Sequence, residues 1–213
     1  ELEWLERYQQ YGLEKGWNDA GNGRIGLALA RAYSEAEAFD KAVGLFESAQ
    51  RNAAASMTLK DQEQLPNLRA RAAMQQWRQG KAAAGQIDQS ISEIRDLLRA
   101  GETAERFALL GSAWRRRAWI SRSPAGHLED MREAYANSYA LSQQDSPAAV
   151  YPLLNIVVAG LTMQWYPARA DGAPKKSELR RHLKTARSLL PEAGGVFRER
   201  EASWDPWLAS MAI

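Results

Sequence analysis

Apolar residues recur at three- and four-residue intervals along almost the whole chain, while strict alternation of apolar and polar residues is almost absent. A stripe at that spacing lies along one side of an α-helix and cannot be buried by a pleated strand, so the pattern predicts an all-α fold. The apolar share rests on Ala, Leu and Trp with few Val and Ile, which also favours helices over strands. The periodic stretches are broken at Gly12/Gly16/Gly21/Gly23, Gly80/Gly85, Gly101, Ser121–Gly126, Asp145–Pro147, Tyr166–Ser177 and Pro191–Gly195. Glycine and proline end helices, and between these breaks each segment is one helix or one helical hairpin long. The expected architecture is therefore a series of αα-hairpins stacked into a superhelical solenoid.

The hairpins repeat. Leu29-Ala30-x-x-Tyr33, followed by Phe39, Ala42, Phe46 and Ala49, resembles the tetratricopeptide repeat, with a large-small-x-x-aromatic first helix and an Ala-x-x-x-aromatic-x-x-Ala second helix. Small residues let two helices approach, and aromatics fill the gap to the next hairpin. Ala73-Met74-x-x-Trp77 with Ile87, Ile91 and Ile94 gives a second unit. Leu110-Gly111-x-x-Trp114 with Met131, Tyr135 and Ser138 gives a third, across a turn several residues too long. Leu154-Asn155-x-x-Val158 with Leu179, Leu183 and Ala186 before Pro191 gives a fourth. Trp4-x-x-x-Tyr8-x-x-Tyr11 reads as a second helix whose partner lies upstream. The expectation is one repeat domain over residues 1–213, about four hairpins with a half-unit at each end. Opening on Glu1 and closing on "DPWLASMAI", it reads as a segment of a longer protein.

Three further stretches, Gln62–Ala73, Thr103–Trp119 and Tyr151–Leu161, together resemble the tetratricopeptide-like TRAFs-binding domain of apoptosis signal-regulating kinases and of bacterial multidomain proteins. The most specific of them is the Glu-Arg-x-x-x-Leu-Gly-Ser-x-aromatic-Arg/Lys-Arg segment from Glu105 to Arg116. The resemblance implies a helical scaffold that binds proteins and regulates an attached catalytic module. It implies no chemistry within this chain.

The residues agree. Zero cysteines exclude disulfides and thiolate chemistry, and two histidines leave little for a zinc site. Gly21-x-Gly23-x-x-Gly26 has the spacing of a dinucleotide-binding loop, but no Val/Ile-rich strand precedes it, so it reads as a loop that caps a helix. His127 beside Ser121, Ser123, Glu129 and Asp130 is a triad by composition only. His182 lies on a charged helix face, and the pairs Glu35/Glu37 and Glu199/Glu201 have a spacing that diverges on a helix. No catalytic residue, cofactor site or metal site is expected. The longest apolar window, Ala148 to Trp165, is broken by Pro152, Asn155, Gly160 and Gln164, so no membrane span is expected. No signal peptide is recognisable, and the lack of cysteine fits a reducing, cytoplasmic compartment.

Recognition is then assigned to a surface. In the repeat register the first helices present Arg24, Leu27 and Arg31, then Leu68, Arg71, Gln75 and Arg78, then Glu105, Ala108, Ser112 and Arg115 to the concave side. Arginine offers a planar fork of donors to carboxylates, so Arg24, Arg31, Arg71, Gln75, Arg78 and Arg115 are the expected contacts to an acidic segment of a protein or peptide partner, or of another domain of the same polypeptide. The positions at which chaperone-binding repeats use lysine and asparagine read Leu27/Arg31, Arg71/Gln75 and Ala108/Ser112, which disfavours that use. The alternative is nucleic acid: "WRRRAWISR" from Trp114 to Arg122 interleaves arginine with tryptophan, and Lys175/Lys176 precede another basic cluster. A net charge of +2 and the divergence of successive helical residues argue against it. Of the eight tryptophans, Trp4, Trp77 and Trp114 fall on expected core positions, and Trp204 and Trp207 read as a docking patch.

Overall fold

The computed structural model describes residues 2–14, 23–52, 54, 57–142, 147–164, 177, 180–185 and 188. Among these residues the regular elements are helices: α1 (Leu2–Glu14), α2 (Gly23–Glu35), α3 (Phe39–Asn52), α4 (Leu59–Arg78), α5 (Ala84–Ala100), α6 (Ala104–Ile120), α7 (Ala125–Leu141) and α8 (Val150–Gln164). A 3-10 turn, Pro147–Ala149, leads into α8. The all-α expectation holds, and each α-helix packs on its chain neighbour within two compact units, Glu1–Ala100 and Gly101–Ile213. Of the partner expected for α8, Leu183 lies in the described helical stretch 180–185, while Leu179, Ala186 and Pro191 lie outside the described residues, as do Glu199, Glu201, Trp204 and Trp207. No described helix is long and apolar enough to cross a membrane.

In the first unit α2/α3 and α4/α5 are hairpins and α1 packs on α2. The repeat residues do what their size dictates: Ala30, Tyr33, Phe39, Ala42 and Phe46 are buried together with Leu65, Leu68 and Ala72 of α4. Ile87, Ile91 and Ile94 of α5 are buried as well. Both turns end in the same device. After α2, the Ala38 amide donates to the Tyr33 carbonyl at 2.9 Å and the Glu37 amide to Ser34 at 3.1 Å. After α4, Lys81 donates to Gln76 at 3.0 Å and Gly80 to Trp77 at 2.8 Å. This pairing needs a left-handed residue at its centre, supplied by Gly80 at φ 81° and, unusually, by Glu37 at φ 56°. Helix α4 begins on a capping box in which Asp61 N–H donates to Thr58 Oγ1 at 3.2 Å and Thr58 N–H to Asp61 Oδ2 at 2.9 Å. Arg69, largely buried, clamps three helices by pairing with Glu47 of α3 at 2.9 Å and with Glu93 of α5. Gly12, read as a break, is buried inside α1 instead.

The aromatics of α1 correct the sequence reading. Trp4 is 64% exposed, and Tyr8 and Tyr11 are exposed with it. Leu5 of α1 packs against the core. Trp77, also expected in the core, is exposed. The period was right and the phase was wrong: an aromatic at helical spacing marks a face without saying which neighbour that face meets.

In the second unit α6 and α7 form a hairpin across the connection Ser121–Pro124, and α8 packs on α7. Thr103 caps α6, accepting from the Arg106 amide at 3.1 Å. Met131, Tyr135, Ile156 and Ala159 make the core, with Trp114 packed partly buried against it. His127 belongs to the first turn of α7, where its ring stacks on Trp114 with centroids 5.5 Å apart.

Candidate functional site

Helix α8 is apolar and almost wholly buried, yet carries Tyr151 and Asn155 one turn apart. A buried amide or hydroxyl is costly unless it is bonded, so these two residues must have partners. Asn155 is 1% exposed; its Nδ2 donates to the Tyr151 carbonyl at 2.9 Å and its Oδ1 accepts from Arg115 Nη1 at 3.3 Å. The Tyr151 hydroxyl meets Ser112 Oγ at 3.0 Å and Tyr135 Oη at 3.2 Å, and Ser112 and Tyr135 share a hydrogen bond of 2.9 Å. Three hydroxyls from α6, α7 and α8 thus close a triangle.

Gly111 makes this possible. A Cβ there would lie 2.7 Å from Tyr135 Cε2, so only glycine lets the ring lie against α6. Arg116, one turn beyond Ser112, donates to the Ser112 carbonyl at 3.0 Å. The segment that reads Gly-Ser-x-x-Arg-Arg in sequence is a single piece of geometry: close approach, hydroxyl, two guanidiniums.

The charges act on the phenols. Burial works to raise Tyr151, but the Arg115 charge, the hydrogen bonds with Ser112 and Tyr135 and the Arg116 charge outweigh it, holding this hydroxyl below its ordinary value. Burial and the neighbouring Tyr151 push Tyr135 far above its own. Tyr151, Arg115 and Arg116 retain partial exposure, whereas Ser112, Tyr135 and Asn155 are buried beneath them.

The other predicted contacts lie in the first unit. Arg24 is exposed in the first turn of α2 and Arg78 is exposed in the last turn of α4. Arg31 is bound to Asp61 by both Nε (3.0 Å) and Nη2 (2.8 Å to the second oxygen), joining α2 to the cap of α4. Burial works to raise Asp61, but the Thr58 bonds and Arg31 outweigh it and hold the carboxyl below its ordinary range. Arg71 lies over the Phe39 ring, 4.2 Å from its centroid, with a nitrogen 3.9 Å from the Glu37 carboxylate. Gln75 gives its amide to the Glu37 carbonyl at 2.8 Å. Leu27 and Leu68, counted on the same faces, are each 2% exposed and belong to the core. The arginine positions therefore divide into Arg24 and Arg78, exposed at helix ends, and those held by neighbours: Arg31, exposed yet bound to Asp61, and the partly buried Arg71 and Arg115.

Two features escaped the sequence reading. Tyr135 was read as a repeat packing residue and Tyr151 only as the start of a resemblance stretch, although a tyrosine and an asparagine four apart in an apolar helix signal a buried polar cluster. The Asp61 bond to Arg31 spans two hairpins, and nothing local announces it. Among the described residues no group of His, Cys, Asp or Glu is placed to hold a metal ion. An open cleft of about 390 Å³, lined by Trp4, Leu5, Ala32, Glu35 and Ala36, lies between α1 and α2.

The family model described as Tetratricopeptide Repeats-Sensor matches residues 38–161, which span the second helix of the first hairpin through most of α8. No curated protein matches the chain.

Proposed function

The chain belongs to the Tetratricopeptide Repeats-Sensor family, and from that premise we propose that it is a non-catalytic recognition domain whose arginine-bearing helix faces bind an acidic segment of a partner protein or of its own polypeptide. A repeat array of this type acts by presenting rigid helical surfaces, each hairpin contacting mainly its neighbours. In this reading it is the cytoplasmic regulatory part of a larger signalling or effector protein, in the manner of the TRAFs-binding domain that Glu105–Arg116 resembles. The observation that carries it is the pair of exposed arginines, Arg24 and Arg78, in the first turn of α2 and the last turn of α4. Guanidinium groups in such settings favour bidentate contact with carboxylates.

The test is quantitative affinity capture with the wild-type chain and with an Arg24→Glu/Arg78→Glu variant, both at exposed positions that leave the core untouched. Retention of a protein by the wild type and its loss from the folded variant supports the reading. Equal retention by both removes the arginines from recognition. Retention of nucleic acid alone, released steeply by salt, would favour the Trp114–Arg122 alternative.

A further inference from the structure

The aromatic face of α1 lies uncovered beside a carboxylate. Trp4 is 64% exposed, yet its ring is held, stacked on Tyr8 with centroids 5.2 Å apart and planes 10° from parallel. The same indole lines the open cleft of about 390 Å³ between the start of α1 and the end of α2, together with Leu5, Ala32, Ala36 and Glu35. We propose that this cleft is a docking site for a basic segment of a partner protein, whose lysine or arginine side chain lies against Trp4 and pairs with Glu35. The inference stands apart from the acidic-partner reading, since it uses other residues and the opposite charge.

Three observations carry it. The first is the charge of Glu35. Its ready partner on α2 is Arg31, one turn earlier, but that guanidinium is bound to Asp61. Two acidic residues of α1 are likewise matched, Glu3 by Arg7 at 2.6 Å and Glu6 by Lys41. Among the described residues no ion pair includes Glu35, so a cation arriving from outside meets an uncompensated carboxylate. The second is position. Glu35 is the last residue of α2, whose last turn holds no basic residue. The negative end of the helix dipole therefore adds to the carboxylate and favours a cation. The third is the lining. The face of an indole attracts an ammonium or guanidinium group, while Leu5, Ala32 and Ala36 offer its methylene stem an apolar wall. Ring and wall alone would accept any apolar group; the carboxylate selects a charged one. Exposed aromatics continue along α1 through Tyr8 to Tyr11, about 10 Å of helix beyond Trp4. That length matches about three residues of extended chain, so the occupant is a segment rather than a small free cation.

The test titrates the full chain with capped peptides that differ only in a central lysine, arginine or norleucine, and with tetramethylammonium, following backbone amide resonances at constant ionic strength. Saturable shifts at Trp4, Leu5, Ala32, Glu35 and Ala36 are expected with the lysine or arginine peptide, and binding about fivefold weaker or less with norleucine. Trp4→Leu and Glu35→Gln should each weaken binding of the charged peptide about threefold or more. Both positions are exposed, and circular dichroism with unfolding midpoints establishes that both variants are folded. Glu102→Gln, in the other unit, should leave the binding unchanged. Equal binding of the norleucine peptide would make the cleft a plain apolar surface, and equal binding of tetramethylammonium would make it a small-cation site. Concentration-dependent shifts at the same residues in the chain alone would make it a contact between copies. Each of these outcomes overturns the proposal, as does the absence of saturable shifts or their undiminished survival in either variant.

Discussion

Replacing Gly111 with alanine tests the central packing claim. The new Cβ would lie 2.7, 2.8 and 2.9 Å from Cε2, Cδ2 and Cζ of Tyr135, against ordinary carbon contacts of about 3.5–4.0 Å. The ring must retreat by about 0.7 Å or more, yet it is 0% exposed and its hydroxyl is tied to Ser112 and Tyr151. Overpacking of this kind costs about 1–3 kcal/mol, and weakening two hydrogen bonds adds about 1 kcal/mol each at most. Alanine returns about 1 kcal/mol of helix propensity in the middle of α6. The net expectation is a loss of about 1–3 kcal/mol, read by urea unfolding followed at 222 nm. Gly44→Ala in α3 is the control, because nothing lies within 4 Å of its added Cβ; it should gain about 0.5–1 kcal/mol. In a Tyr135→Leu background the cost of Gly111→Ala should shrink, giving a coupling of about 1 kcal/mol or more. If Gly111→Ala is as stable as wild type, the close approach of α6 and α7 is not what glycine is for.

Other substitutions probe the remaining contacts. Asp61 has a lowered carboxyl, so its contribution is present above the ordinary value near 3.8 and is lost as pH falls through its folded value. The gap in unfolding midpoint between wild type and Asp61→Asn should therefore be level near neutral pH and close in acid; a gap that persists in acid would refute the assignment. Glu37→Gly relieves a left-handed non-glycine residue at φ 56° and should stabilise the chain by up to about 1 kcal/mol in chemical unfolding. Arg115→Gln removes the largest influence lowering Tyr151, leaving burial to dominate. The Tyr151 phenolate, isolated by subtracting the Tyr151→Phe titration at 295 nm, should then form at higher pH, and an unchanged titration would contradict the placement of Arg115.

Sequence periodicity revealed the helices because burial of one stripe is a local demand, visible within a dozen residues. Leu29-Ala30-x-x-Tyr33 and Phe39 to Ala49 took their predicted places for that reason. Trp4 and Trp77 did not, because exposure depends on which helix lies opposite, and that is decided by residues far along the chain. The candidate site was legible in fragments. Ser112 and Arg115 were placed on a recognition face, and Asn155 was seen as a repeat position and as an interruption of an apolar window. Their partnership joins residues 40 positions apart through a bond from Arg115 to Asn155, and helical spacing carries no information at that range.

The arginines show why residue type alone is a poor guide to recognition. On the same expected face, Arg31 is occupied by a carboxylate two hairpin elements away, Arg71 covers an aromatic ring, and Arg115 is aimed by an amide. The first is a strut: Asp61 completes the α4 cap and accepts from Arg31 with the same carboxylate, so a charge reversal at Arg31 would strike folding before it reached binding. A charge reversal at Arg24 or Arg78 meets no such obligation, since both side chains are exposed at helix ends. Arg115 stands between these cases, partly exposed and bonded to the buried Asn155 amide. Position within the bonding network therefore separates scaffold from surface, and it directs mutagenesis to Arg24, Arg78 and Arg115 rather than to every arginine on the face.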